Sequence, residues 1–215
     1  MQKQNLSNKK TTDDNKDILI KKISKIPIGF FLFSIIMILW NMTFLLPAYW
    51  AHNEDYELSN SFYYAFSFTC HQIDQRSLCY FPDSNQSMIA SCTPYQQHYT
   101  ATKSAVIHNP VHGVGYKIAV CSRDVAIYGA MLIGCVAWAI LNIKNLREQR
   151  WPHPIWLLLA MIPIGLDGLT QLIGLRESTN EIRVISGAII GFACAFYLIP
   201  VFNNIFNSLF SDKSD

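Results

Sequence analysis

Four runs of about twenty mostly apolar residues leave a chain of this kind few folds to choose from. They span roughly Pro27 to Trp50, Ala119 to Asn142, Ile155 to Leu175 and Arg183 to Val201. A hydrocarbon layer of about 30 Å takes about 20 residues of helix to cross. A backbone in lipid finds no water, so it must satisfy its own hydrogen bonds, and a helix does so within one segment. The first run carries no charge, and Trp40, Tyr49 and Trp50 are suited to the membrane interface. The second is apolar after a polar start at Cys121-Ser122-Arg123-Asp124, and the third is apolar except for Asp167, Thr170 and Gln171. Hydrophobic residues make up 51% of the chain and charged ones 15%, against about 25% charged in soluble domains. The first run exceeds the usual signal-peptide core of about 7–15 residues and lacks a clean small-x-small site after it, so it reads as a retained span. The expected fold class is all-α, a polytopic helical membrane protein with about four transmembrane helices.

The expected organisation is a disordered basic tail over 1–26, one membrane domain over 27–205 and a short tail over 206–215. Within the membrane domain lies a long loop over 51–118. An aromatic run from Phe62 to Phe68 in that loop suits an interfacial helix, and Pro82, Pro94 and Pro110 break the rest. Lys and Arg set orientation. Lys3, Lys9, Lys10, Lys16, Lys21, Lys22, Lys25, Lys144, Arg147, Arg150 and Lys213 fall on one side of the expected topology. Arg76, Lys103, Lys117, Arg123, Arg176 and Arg183 fall on the other. Eleven of the 17 basic residues therefore share a side, which predicts cytoplasmic N- and C-termini and a long loop outside the cell membrane. A net charge of +2 argues against a nucleic-acid partner. Neither a phosphate-binding glycine loop nor a dinucleotide fingerprint occurs, and the chain has no internal repeat.

On this topology the unusual polar residues gather at the outer face. An ionisable group within a span costs about 2.5–3.5 kcal/mol on insertion scales, so Asp167 is expected to face the interior with a partner. Arg123, Arg176 and Arg183 are the candidates. Asp167 and Gln171 share a helical face, as do Cys121, Asp124 and Tyr128. Asp167 and His71 are the candidate catalytic groups. Arg76, Arg123, Gln171, Arg176, Asn180 and Arg183 are candidate binding groups for an anionic lipid or lipid-linked substrate. Cys70, His71, Cys121 and Asp167 would make a four-ligand set for a divalent metal such as zinc, although no CxxC or HExxH spacing supports it. The rival for the cysteines is oxidation. Cys70, Cys79, Cys92 and Cys121 all fall outside the cytoplasm and allow three pairings, of which Cys79–Cys92 is the natural bridge within the loop. Cys135 and Cys194 read as packing residues, and His52, His98, His108, His112 and His153 as solvated or turn residues. Gly187 and Gly191 suit close helix packing, within one chain or in a homo-oligomer.

Read together, CHQ (Cys70–Gln72), RS (Arg76–Ser77), CSRDVAIYG (Cys121–Gly129), DGLTQ (Asp167–Gln171), RESTN (Arg176–Asn180), Arg183 and Gly187 resemble a family of uncharacterised prokaryotic membrane proteins, domain of unknown function 2085. The resemblance runs from about Phe62 to Gly191. It implies a small polytopic membrane protein and supplies no reaction. In the family pattern a second cysteine often follows the arginine, and here that position is Asp124. The stretch from Ser77 to Cys121 is also longer than the family's. A carboxylate can replace a thiolate as a metal ligand but cannot form a disulfide. Three functions stay open: an enzyme or metal site acting on a lipid-type substrate at the outer leaflet, a non-catalytic assembly or sensor subunit, and a small transporter component.

Overall fold

A computed structural model of the chain describes residues 27–83, 88–93, 104–142 and 151–211. The expected tail over 1–26, His98, Lys103, Lys144, Arg147, Arg150 and Lys213 lie outside the described residues. Four helices among those described are long and apolar enough to cross a membrane. They are α1 (Ile28–His52), α3 (Ser122–Leu141), α4 (Ile155–Leu172) and α5 (Asn180–Ser211), with the short α2 (Tyr56–Phe66) between the first two.

The all-α expectation is overturned by the segment between α1 and α3. It folds into α2, a single 3-10 turn (Asp74–Arg76) and four strands: β1 (Ser77–Phe81), β2 (Met88–Ser91), β3 (Val106–Asn109) and β4 (Gly113–Cys121). They form one antiparallel sheet in the order β2-β1-β4-β3. Its strands are too short and too polar at their ends to stand out by periodicity, and most of the apolar surface that buries them comes from elsewhere in the chain. Phe44 and Ala51 of α1 and Tyr63 and Phe66 of α2 pack against Ile118, Ala119 and Val120 of β4. The far end of the sheet closes on a smaller core of Cys79, Phe81, Cys92 and Ile107. There Cys79 and Cys92 form a disulfide, the pairing expected from the sequence. Asn109 ties that end together, donating to the carbonyls of Ser91 (3.3 Å) and Cys92 (3.0 Å) while its Oδ1 accepts from the Val111 and His112 amides. The aromatic run supplies α2, capped by Asp55, whose side chain accepts from the Leu58 amide.

In the helical part, α3 and α5 touch most closely. A Cβ added at Gly187 would meet the Arg123 carbonyl at 2.7 Å, and one at Gly191 would collide with the Ile127 backbone. Both glycines thus serve packing within one chain, which admits close backbone approach where lipid offers no hydrophobic driving force. A second cluster, Phe30, Phe33, Cys135, Trp138, Ala195 and Ile199, joins α1, α3 and α5. Asn41, buried in α1, donates to the Tyr128 carbonyl of α3 at 3.3 Å. The end of α1, the starts of α3 and α5 and the end of α4 all meet the sheet or its connections, so polar side chains from every span converge at this one end of the bundle.

Candidate functional site

The polar end holds two adjacent clusters, and the first turn of α3 contributes to both. One forms around Cys70. After α2 the chain reverses at Gln72, whose φ of 50° lies in the left-handed region that a non-glycine residue enters at a cost. Surrounding bonds hold it there: Gln72 Nε2 donates to the Tyr63 carbonyl (2.7 Å) and to the Ala119 carbonyl (3.0 Å). The buried Lys117 Nζ donates to the Gln72 carbonyl (3.2 Å) and pairs with Asp74 Oδ1 (2.8 Å). This turn places the Cys70 sulfur where the Gln72 amide donates to it at 3.4 Å. Cys121 ends β4, and Asp124 sits one turn into α3, with Cys121 Sγ 3.1 Å from Asp124 Oδ2. One ligand atom from each of Cys70, Cys121 and Asp124 lies within 4.8 Å of the other two.

Three acidic groups so close cannot all ionise. The Cys121 thiol donates toward the Cys70 sulfur and holds the Cys70 thiol well below its ordinary value, at about 6, against an opposing push from burial. Cys121 is pushed far up, first by that same hydrogen bond and then by burial and the charges of Cys70 and Asp124. The cluster therefore favours a Cys70 thiolate beside a protonated Cys121. A cation in place of the Cys121 proton would satisfy all three.

The second cluster surrounds Asp167, which is 1% exposed. Arg123 Nη2 of α3 donates to its Oδ2, as does Ser178 Oγ at 2.8 Å. Arg176 Nη2 donates to Oδ1 at 2.9 Å and Arg176 Nε to Thr170 Oγ1 at 3.2 Å. One helical turn along α4, Gln171 Oε1 accepts from Arg183 Nη2 at 2.9 Å. Asn180 bridges the start of α5 to the sheet: its Oδ1 accepts from Ser122 Oγ (2.7 Å), and its Nδ2 donates to the Gln75 carbonyl (3.0 Å) and Ser91 Oγ (2.9 Å).

The residues singled out by sequence are thus divided. Cys70 and Cys121 come together with Asp124, whereas Asp167 is held by Arg123, Arg176 and Ser178, and His71 is exposed. Arg183 engages Gln171. Arg76 and Arg176 line one cavity with Gln171. Asp124 had a legible signal in its spacing of three from Cys121 on a helix and in its place where the family pattern has cysteine. The Ser178–Asp167 bond and the buried Lys117–Asp74 pair had no such signal, since the α4–α5 connection brings Ser178 to its partner and the sheet brings Lys117 to its own.

Residues 108–197 match the family described as "Predicted membrane protein (DUF2085)", the family that the motifs resemble. The match begins after Cys70–Gln72 and Arg76–Ser77. An uncharacterized protein of Methanocaldococcus jannaschii is 47% identical over 88 residues, which is 41% of this chain and 55% of that relative. The chain thus spans about half the length of the relative it matches. No solved structure matches.

Proposed function

We propose that this membrane protein, which matches a family of predicted membrane proteins over residues 108–197, binds a thiophilic divalent cation such as zinc through Cys70, Cys121 and Asp124. One observation carries the reading: three ligand atoms within 4.8 Å of one another, from two thiols and a carboxylate, brought together from the connection after α2, the end of β4 and the start of α3. Zinc sits about 2.3 Å from thiolate sulfur and about 2.0–2.2 Å from carboxylate oxygen in tetrahedral sites, so ligand atoms at this separation need only small adjustments. Three protein ligands leave a fourth position for water or substrate, the arrangement of catalytic rather than structural zinc. By the distribution of Lys and Arg the site faces outward, with both termini cytoplasmic. Asp167, with both oxygens occupied, is a brace between α3, α4 and the α4–α5 connection in this reading, and neither a general acid nor a cation carrier.

Elemental analysis tests it. Detergent-purified protein prepared without chelators and incubated with zinc retains one zinc per chain after desalting. The variants Cys70→Ser and Asp124→Asn, close in shape to the originals, lose it, and Asp167→Asn keeps it. A wild type that retains no zinc, or ligand variants that retain as much as the wild type, would overturn the reading.

A further inference from the structure

Beside the Asp167 cluster, and away from the thiols, a cavity of about 430 Å³ is lined by Ile73, Arg76, Gln171, Gly174, Arg176 and Glu177. Its polar lining is two guanidiniums and an amide against one carboxylate. Arg183 fixes the amide: by donating to Gln171 Oε1 it leaves Nε2 as the group without a partner, and that buried nitrogen has none among the described residues. Arg176 has donors to spare. Of the five N–H groups of a guanidinium, its bonds to Asp167 and Thr170 use two, and its side chain is 40% exposed. The cavity therefore offers hydrogen-bond donors, from Gln171 Nε2 and the remaining N–H groups of Arg176, to a ligand that must bring several acceptor oxygens.

Its position narrows the ligand further. The turn that carries Gly174 and Arg176 also carries Leu172, Ile173 and Leu175, all exposed, the first at 83%. These apolar side chains follow the end of a span, so they meet lipid, and the guanidiniums next to them stand at headgroup depth. Arginine is suited to phosphate by its planar array of donors.

We infer that this cavity binds a phosphate group through Arg76, Gln171 and Arg176, carried by a lipid headgroup or by a soluble phosphate. The inference does not depend on a metal at Cys70, Cys121 and Asp124. The test uses full-length protein in uncharged maltoside detergent with two probes, inorganic phosphate and micelles doped with phosphatidylglycerol, each titrated against the thermal unfolding midpoint. Two variants read the site in opposite directions. Gln171→Glu keeps the acceptor for Arg183 and replaces the unpartnered donor by negative charge, and it weakens binding at least tenfold. Glu177→Gln removes the one acid lining the cavity and tightens binding several-fold. Unliganded midpoints within a few degrees of wild type show that both variants fold. Stabilisation by phosphatidylglycerol alone assigns the site to membrane lipid, and stabilisation by inorganic phosphate assigns it to a soluble ligand. If neither probe stabilises the wild type, or if Gln171→Glu responds as the wild type does, the inference is wrong.

Discussion

Removing the Cys121 thiol should change the chemistry of Cys70 in a way that reverses with pH. Cys70 is held at about 6, chiefly because Cys121 donates to its sulfur. In Cys121→Ala that donor is gone, and Cys70 returns to at least the ordinary thiol value of about 8.5. At pH 6 the thiolate fraction is about one half in the wild type and about 0.003 in the variant, a ratio of about 160. The stabilised thiolate is also a weaker nucleophile: with a Brønsted coefficient of about 0.4–0.5, a difference of about 2.5 in pKa costs about 10–18-fold in intrinsic rate. The wild type therefore alkylates about tenfold faster at pH 6 and about tenfold slower at pH 9, with the curves crossing near about pH 7.4. Cys121→Ser retains a donor and keeps the low midpoint. The assay is iodoacetamide labelling of chelator-treated protein across pH, read at the Cys70 peptide by mass spectrometry so that Cys135 and Cys194 do not interfere. Steric access to buried Cys70 scales each curve and leaves its midpoint in place. Equal midpoints in wild type and Cys121→Ala would refute the hydrogen-bonded thiol pair.

The brace at Asp167 should be among the strongest polar contributions to stability. Asp167→Asn strands two arginines, and loss of one partner from a buried ion pair costs about 3–5 kcal/mol, with the lower end expected because Arg123 and Arg176 are 24% and 40% exposed. Arg176→Gln, at the more exposed partner, costs about 1 kcal/mol or less; equal losses from the two variants in denaturant unfolding would contradict a brace centred on Asp167. Gly191→Leu pushes a side chain into the Ile127 backbone and destabilises the α3–α5 contact by at least the about 1–3 kcal/mol of an overpacked core, again read by unfolding in detergent. Paired Cys79→Ser and Cys92→Ser opens a loop with a sequence separation of 13 and costs about 3 kcal/mol by the chain-entropy relation, while reductant should no longer shift the unfolding midpoint of that variant.

What could be read from the sequence follows from which interactions are local. Spans show themselves because lipid demands a continuous apolar run, and such a run survives any arrangement of its neighbours. Asp167 stands out for the same reason, as one carboxylate in an apolar segment. The sheet does not, because its stabilisation is shared out: Ile118, Ala119 and Val120 are buried by α1 and α2, and the polar Asn109, Lys117 and Gln72 are satisfied across 17 to 47 residues of chain. Ala119 and Val120 also read as the start of an apolar span, yet they belong to β4, and the helix begins only at Ser122. In the candidate metal site, Cys70 and Cys121 were legible as chemistry. Asp124 was legible as a carboxylate on the same helical face as Cys121, but that it and not His71 completes the trio depended on geometry, since His71, next to Cys70 in sequence, is exposed, while Asp124 reaches the sulfurs from the helix that β4 leads into.

The first turn of α3 explains why the two clusters are adjacent yet chemically separate. Successive helical residues point about 100° apart, and here three in a row address three neighbours. Ser122 donates to Asn180 at the start of α5, Arg123 donates to Asp167 of α4, and Asp124 Oδ2 lies 3.1 Å from Cys121 Sγ at the end of β4. A strand that runs directly into a helix thus fixes the direction of Asp124 toward the thiols by anchoring the residues on either side of the helix to other spans. Stability and site geometry are coupled through that turn. Release of Arg123 in Asp167→Asn removes one of its two anchors and leaves Ser122–Asn180 to hold Asp124, whereas Arg176→Gln leaves both anchors in place. A protein organised this way keeps the effects of change in the outer parts of the sheet away from the ligands, since the disulfide and Asn109 close a separate core there, whereas change where β4 becomes α3 reaches both stability and site, because there one backbone segment aims the ligands and bolts three spans together.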